Sequence, residues 1–91
     1  MKVEHESGAQ FYIAQAEENA VLDYRLEGDC LNLLRVFVPP ALRGQGVAEV
    51  LTREALEYAK SKGYQVIPTC PYISKTFLAR HPEYQTLLRE S

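Results

Sequence analysis

From position 20 to position 27 the chain changes character at every step. Ala20, Leu22, Tyr24 and Leu26 fall to one side, and Val21, Asp23, Arg25 and Glu27 to the other. That is the period of a strand with one buried face. Residues 10–14 read as a shorter strand before it, with Phe11 and Ile13 sharing a face and Glu17-Glu18-Asn19 as the polar turn between the two. Gly28-Asp29 is a hairpin signal. The following strand, 31–38, is apolar on both sides except at Asn32 and Arg35, as central strands are. Pro39-Pro40 ends it, since proline has no amide to give the ladder.

The period then lengthens. Val47, Ala48, Leu51, Ala55, Tyr58 and Ala59 recur at helical spacing, while Glu49, Arg53, Glu57 and Lys60 take the opposite side, which predicts a helix over 46–62. Lys60 and Lys62 suit its negative dipole end, and Gly63 suits the position just past it. A fourth strand is expected over 64–69 and a short helix over 73–80. His81-Pro82 breaks that helix, and 83–88 adds a final turn. Three strands, helix, strand and helix make a mixed α/β domain, with a right-handed crossover between the third and fourth strands.

Composition narrows the field. The 91 residues amount to one domain, against about 100–150 for a typical one. A net charge of −2 offers no basic excess for a phosphate backbone, which argues against nucleic acid. No Cys/His spacing matches a metal site, and Cys30 and Cys70 make no secreted disulfide framework. No apolar run nears the roughly 20 residues of a membrane span, and nothing after Met1 reads as a signal peptide. A reducing, cytoplasmic setting is expected.

The chemistry concentrates between the central strand and the helix, in Val38-Pro39-Pro40-Ala41-Leu42-Arg43-Gly44-Gln45-Gly46-Val47-Ala48. Two glycines let the backbone approach a ligand closely, and a helix start offers unpaired amides with a positive dipole end. This arrangement holds a pyrophosphate without many cationic side chains. Arg43 adds a donor fork. Glycines also serve simple tight connections, so the loop alone does not decide. A dinucleotide fingerprint would need a third glycine where Glu49 stands, and the G-K-[ST] of a Walker loop is absent.

Arg43-Gly44-Gln45-Gly46-Val47-Ala48 resembles the R/Q-x-x-G-x-G/A signature of GCN5-related N-acetyltransferases, and Val38 and Pro40 fall where that family often has V-x-P. Residues 20–26, 66–73, 76–78 and 80–82 are similar to the remaining blocks of its short members. The resemblance implies a miniature fold of that family: a mostly antiparallel sheet with one parallel pair, splayed for acetyl-CoA and packed by two main helices. It implies that the backbone of Val36, Phe37 and Val38 pairs with the pantetheine arm. The amides from Arg43 through Gly44, Gln45, Gly46 and Val47 to Ala48 would hold the pyrophosphate, with the thioester near Cys70.

Cys70 is the candidate catalytic residue, as a thiolate that takes the acetyl group. The competing reading is a small side chain packing a strand end, which is also the expectation for Cys30. Arg35 and Tyr72 are candidate contacts for substrate or phosphate. Relatives often carry His-Thr where this chain has Arg35-Val36, and arginine cannot act as a base near neutral pH. Arg35 either binds an anion or extends its charge from a partly exposed strand. Phe77 stands where larger members place a proton-donating tyrosine. His81 reads as a surface residue at a helix end, and Glu49, Glu54 and Glu57 as a solvated face. The expected activity is acetyl transfer to an unidentified amine, small or protein-borne. The alternative is a non-catalytic module that binds CoA or acetyl-CoA or serves regulation, in which a homodimer is open.

Overall fold

The computed structural model describes residues 1–89, so Glu90 and Ser91, the end of the expected domain, lie outside the described residues. Among the described residues, five strands form one sheet in chain order: β1 (Glu4–Glu6), β2 (Gln10–Ile13), β3 (Ala20–Glu27), β4 (Cys30–Phe37) and β5 (Gln65–Ile67). The first three pairings are antiparallel. The β4–β5 pairing is parallel and is made through α1 (Val47–Lys62). The mixed α/β architecture expected from the sequence is therefore present.

Turn chemistry sets the strand limits. Gly28, at φ 65°, closes the β3–β4 hairpin so tightly that Glu27 pairs with Cys30. This starts β4 one residue earlier than the apolar run suggests. β5 covers only three of the six positions expected, because Pro68 cannot continue the ladder. The β1 strand was not expected at all. It carries two glutamates and no apolar alternation, and its histidine places it. His5 stacks on Phe11 with ring centres 4.1 Å apart. The Tyr24 hydroxyl accepts from the Gly8 amide at 2.8 Å and lies 2.6 Å from His5 Nε2.

The core lies between one face of the sheet and the helices. Leu22, Leu31, Leu33 and Val66 from the strands meet Leu51, Ala55, Leu56 and Ala59 of α1, with Ile73 and Phe77 closing the layer. Leu26 departs from the expected pattern. It shares the face of buried Tyr24 yet is 41% exposed, because it sits at the hairpin end of the ribbon beside Gly28. The other face carries Asp23, Arg25, Glu27, Asn32 and Arg35, joined by hydrogen bonds and ion pairs.

The second helical segment, α2 (72–80), is a π-helix over Tyr72–Phe77 that tightens into an α-turn at Leu78–Arg80. A 3₁₀ turn follows at Pro82–Leu87. Leu88 then forms a parallel bridge to Val66, and the Arg89 amide donates to the Val66 carbonyl at 2.9 Å. No helix among the described residues is long and apolar enough to cross a membrane.

Candidate functional site

β4 and β5 pair only at Cys30 with Gln65, Leu31 with Val66 and Asn32 with Ile67. One further link follows, the Cys70 amide donating to the Leu33 carbonyl at 2.9 Å. Leu34 then has no counterpart on β3, because Asp23 pairs with Arg35 and Tyr24 with Leu33. Such a bulge bends a strand and raises its twist. Beyond it Arg35, Val36 and Phe37 pair, among the described residues, with β3 alone. The expected opening of the parallel pair is thus a stretch of β4 with one free main-chain edge.

The glycine loop lies past the end of that stretch. A 3₁₀ turn at Pro40–Leu42 leads into it. Gly44 and Gly46 adopt φ 81° and 75°, and a Cβ on either would meet nothing within 4 Å. A side chain there is opposed by backbone strain rather than by crowding, and the space over the glycines is open. Gly46 is the residue before the first turn of α1, and no side chain caps that end. The amides of the first turn therefore have no side-chain acceptor, and the positive dipole end points outward. Two side chains stiffen the loop from within. Arg43 Nε donates to the Val38 carbonyl at 3.0 Å, and Gln45 Nε2 to the Ala41 carbonyl at 3.2 Å.

A cleft of about 260 Å³ is bounded on one side by Arg43, Gly44, Gly46, Val47 and Ala48. Glu49 also lines it, and α2 faces it with Tyr72 and Arg80. Burial pushes the Tyr72 hydroxyl above its ordinary range, and the charge of Glu49 adds to this while Arg80 opposes it. Tyr72 is therefore a neutral phenol near pH 7. A larger hollow of about 770 Å³ lies between residues 15–18 and Pro39, Pro40 and Ala41. It holds no cation and no glycine, so its size carries less weight than the chemistry of the smaller cleft.

The remaining candidates are placed apart from the loop. Cys70 sits between β5 and α2 as a free thiol 4% exposed, within the apolar core. It does not line the cleft. Its carbonyl accepts from the amides of Ile73 and Ser74, which fixes the start of α2. Arg35 Nε donates to Asp23 at 2.9 Å, and its guanidinium carbon lies 5.6 Å from the Phe37 ring centre. It also lies outside the cleft.

Three residues, two lining the cleft and one bonded to it through Glu49, have roles the sequence reading did not assign. Glu49, expected on a solvated face, accepts a hydrogen bond from His81 Nε2. His81, expected at the surface, has only 19% of its side chain exposed and packs against Phe77 at 4.5 Å between ring centres. Arg80, at the end of α2, lines the cleft together with Val47, Ala48 and Glu49 of the first turn of α1. The two members of the Glu49–His81 pair are 32 positions apart, and no local pattern joins them.

Comparison with known proteins agrees with this geometry. A family model described as GCN5-related N-acetyl-transferase matches residues 10–87. Protein NATD1 of Bos taurus is 31% identical over 93 aligned positions, which cover 98% of this chain and 81% of that protein. A solution structure of a GCN5-like protein from Staphylococcus aureus superposes with a TM-score of 0.75 at 26% identity. The superposition covers 99% of this chain and 89% of the other. A glycine loop opening a long helix, beside a parallel pair that parts after three residues, thus occurs in a chain matched by sequence and by fold: it belongs to the GCN5-related N-acetyltransferase family.

Proposed function

We propose that this protein is an acetyl-CoA-dependent N-acetyltransferase acting on an amine, either a small molecule or a side chain of another protein. One observation carries the reading: the free edge of β4 at Val36 and Phe37 leads directly to an uncapped helix start with two open glycines. A ligand with a hydrogen-bonding arm and a pyrophosphate fits that sequence of surfaces. When bound, acetyl-CoA supplies an acetyl group activated as a thioester. The main chain of Val36, Phe37 and Val38 orients the arm. Arg43 and the amides from Gly44 through Gln45, Gly46 and Val47 to Ala48 hold the diphosphate. Tyr72 stands over the cleft as a phenol able to give a proton, and Cys70 is the candidate nucleophile. The proposed setting is cytoplasmic.

A second reading, a CoA-binding module without catalysis, is favoured by the enclosure of Cys70. Cysteines buried among apolar neighbours behave as small hydrophobic side chains. Arg35 is engaged by Asp23, and Phe77 has no proton to give. A homodimer suits this second reading.

Calorimetric titration with acetyl-CoA, on the wild type and on Gly46→Glu, tests the site. Binding lost in the variant supports it, and no binding by the wild type overturns it. Intact-mass analysis after incubation with acetyl-CoA separates the two readings. An acetyl adduct present in the wild type and absent in Cys70→Ala supports the nucleophile.

A further inference from the structure

The cleft holds a contradiction in charge. Arg43, Arg80 and the first turn of α1 make it suited to an anion, yet Glu49 lines the same small space. A carboxylate in the first turn stabilises the helix through its dipole, so Glu49 benefits α1 while opposing an anionic ligand. Two cationic or hydrogen-bonding groups answer it. His81 Nε2–H donates to the carboxylate from the far end of α2, and Arg53, one helical turn along, lies 3.8 Å away. His81 is itself held by its packing on Phe77, and its Nδ1 lies 3.8 Å from Glu83.

Resting on the acetyl-CoA reading, we infer that His81 and Arg53 are positioning residues for diphosphate binding: they offset and turn aside the Glu49 carboxylate, so that the cleft presents Arg43 and Arg80 to the ligand. His81 touches no ligand in this arrangement. It acts through Glu49, and the same hydrogen bond holds the end of α2, with Arg80, against the first turn of α1. The ligand class is a diphosphate ester, and a free diphosphate shares the chemistry.

The test titrates acetyl-CoA and inorganic pyrophosphate separately, at low ionic strength, into the wild type, His81→Ala, Glu49→Gln and the double variant. His81→Ala weakens both ligands roughly threefold to tenfold, the expected reach of one uncompensated charge across a space this size. Glu49→Gln binds both at least as tightly as the wild type. The double variant returns to within about twofold of the wild type, because His81 has no charge left to offset. A loss in His81→Ala that Glu49→Gln does not restore assigns His81 to packing alone and overturns the inference. So does wild-type binding by His81→Ala. Should His81→Ala not fold, Glu49→Gln decides, and weaker binding by it overturns the inference. A wild type that takes pyrophosphate but not acetyl-CoA overturns the cofactor reading only, while the variants still decide the inference on pyrophosphate. A wild type that takes neither overturns both.

Discussion

At its C-terminal end α1 runs into Gly63, whose amide donates to the carbonyls of Ala59 and Lys60, and into a layer of rings. Tyr58 lies 5.6 Å from Phe11, 4.7 Å from His5 and 6.1 Å from Tyr64 between ring centres. At its N-terminal end the same helix begins at an uncapped glycine with a charged cleft in front. One end has the Ala59 and Lys60 carbonyls bonded past its last turn and Tyr58 packed among rings. The other leaves amides without acceptors, which costs stability unless water or a ligand takes them. The difference lies at the termini and not in the packing: Val47 and Leu51 are buried as Ala59 is, but the N-terminal end leaves its amides without a side-chain cap.

Substitutions can break this division. The largest effect is expected from Phe11→Ala in the ring layer, about 3–5 kcal/mol of stability for an aromatic removed from a core. Chemical denaturation would measure it, and acetyl-CoA affinity of the folded fraction should not change. Next comes the same substitution at both ends of α1. Gly63→Ala and Gly46→Ala each place a Cβ at positive φ, at about 1 kcal/mol apiece. Only Gly46→Ala should also weaken acetyl-CoA binding, by roughly tenfold. Equal binding by the two variants would abolish the distinction between the ends.

The smallest effect is a pH dependence at the packed end. His5 is an exposed residue, yet partial desolvation of its ring holds it below its ordinary value of 6.5, so the folded state prefers the neutral ring. The unfolded chain then takes up a proton first as pH falls. Stability contributed by His5 is present above pH 6.5 and is lost as pH drops through the lower folded value. Thermal unfolding from pH 7.5 to 5.5 should show this slope in the wild type and a shallower one in His5→Phe, which keeps the ring stack.

Elements declared by local pattern were legible in the sequence. The alternation of residues 20–27 and the helical spacing of 47–59 each follow from which face is buried, and the glycine loop is contiguous. What escaped was held by long-range contacts. β1 exists because His5 meets Phe11 and Tyr24 across two turns. Glu49 and Glu57 look like solvent-facing helix residues until the C-terminal turn brings His81 to the first and the Tyr84 hydroxyl, at 2.6 Å, to the second. Cys70 was legible as a strand-end cysteine, but its enclosure is a tertiary property: it joins the core cluster that gathers residues of the sheet, α1 and the π-helical segment.

The open stretch of β4 also bears on how the sheet meets other chains. Between Arg35 and Phe37 a central strand presents one unpaired edge, and to a second chain that edge is a template for intermolecular strand addition. The residues bounding it oppose such growth. Arg35 puts a charge at the start, and Pro39-Pro40 at the far end lack amides to continue a ladder. The segment left unpaired is short and is bounded at both ends, which disfavours edge-to-edge pairing with a second copy.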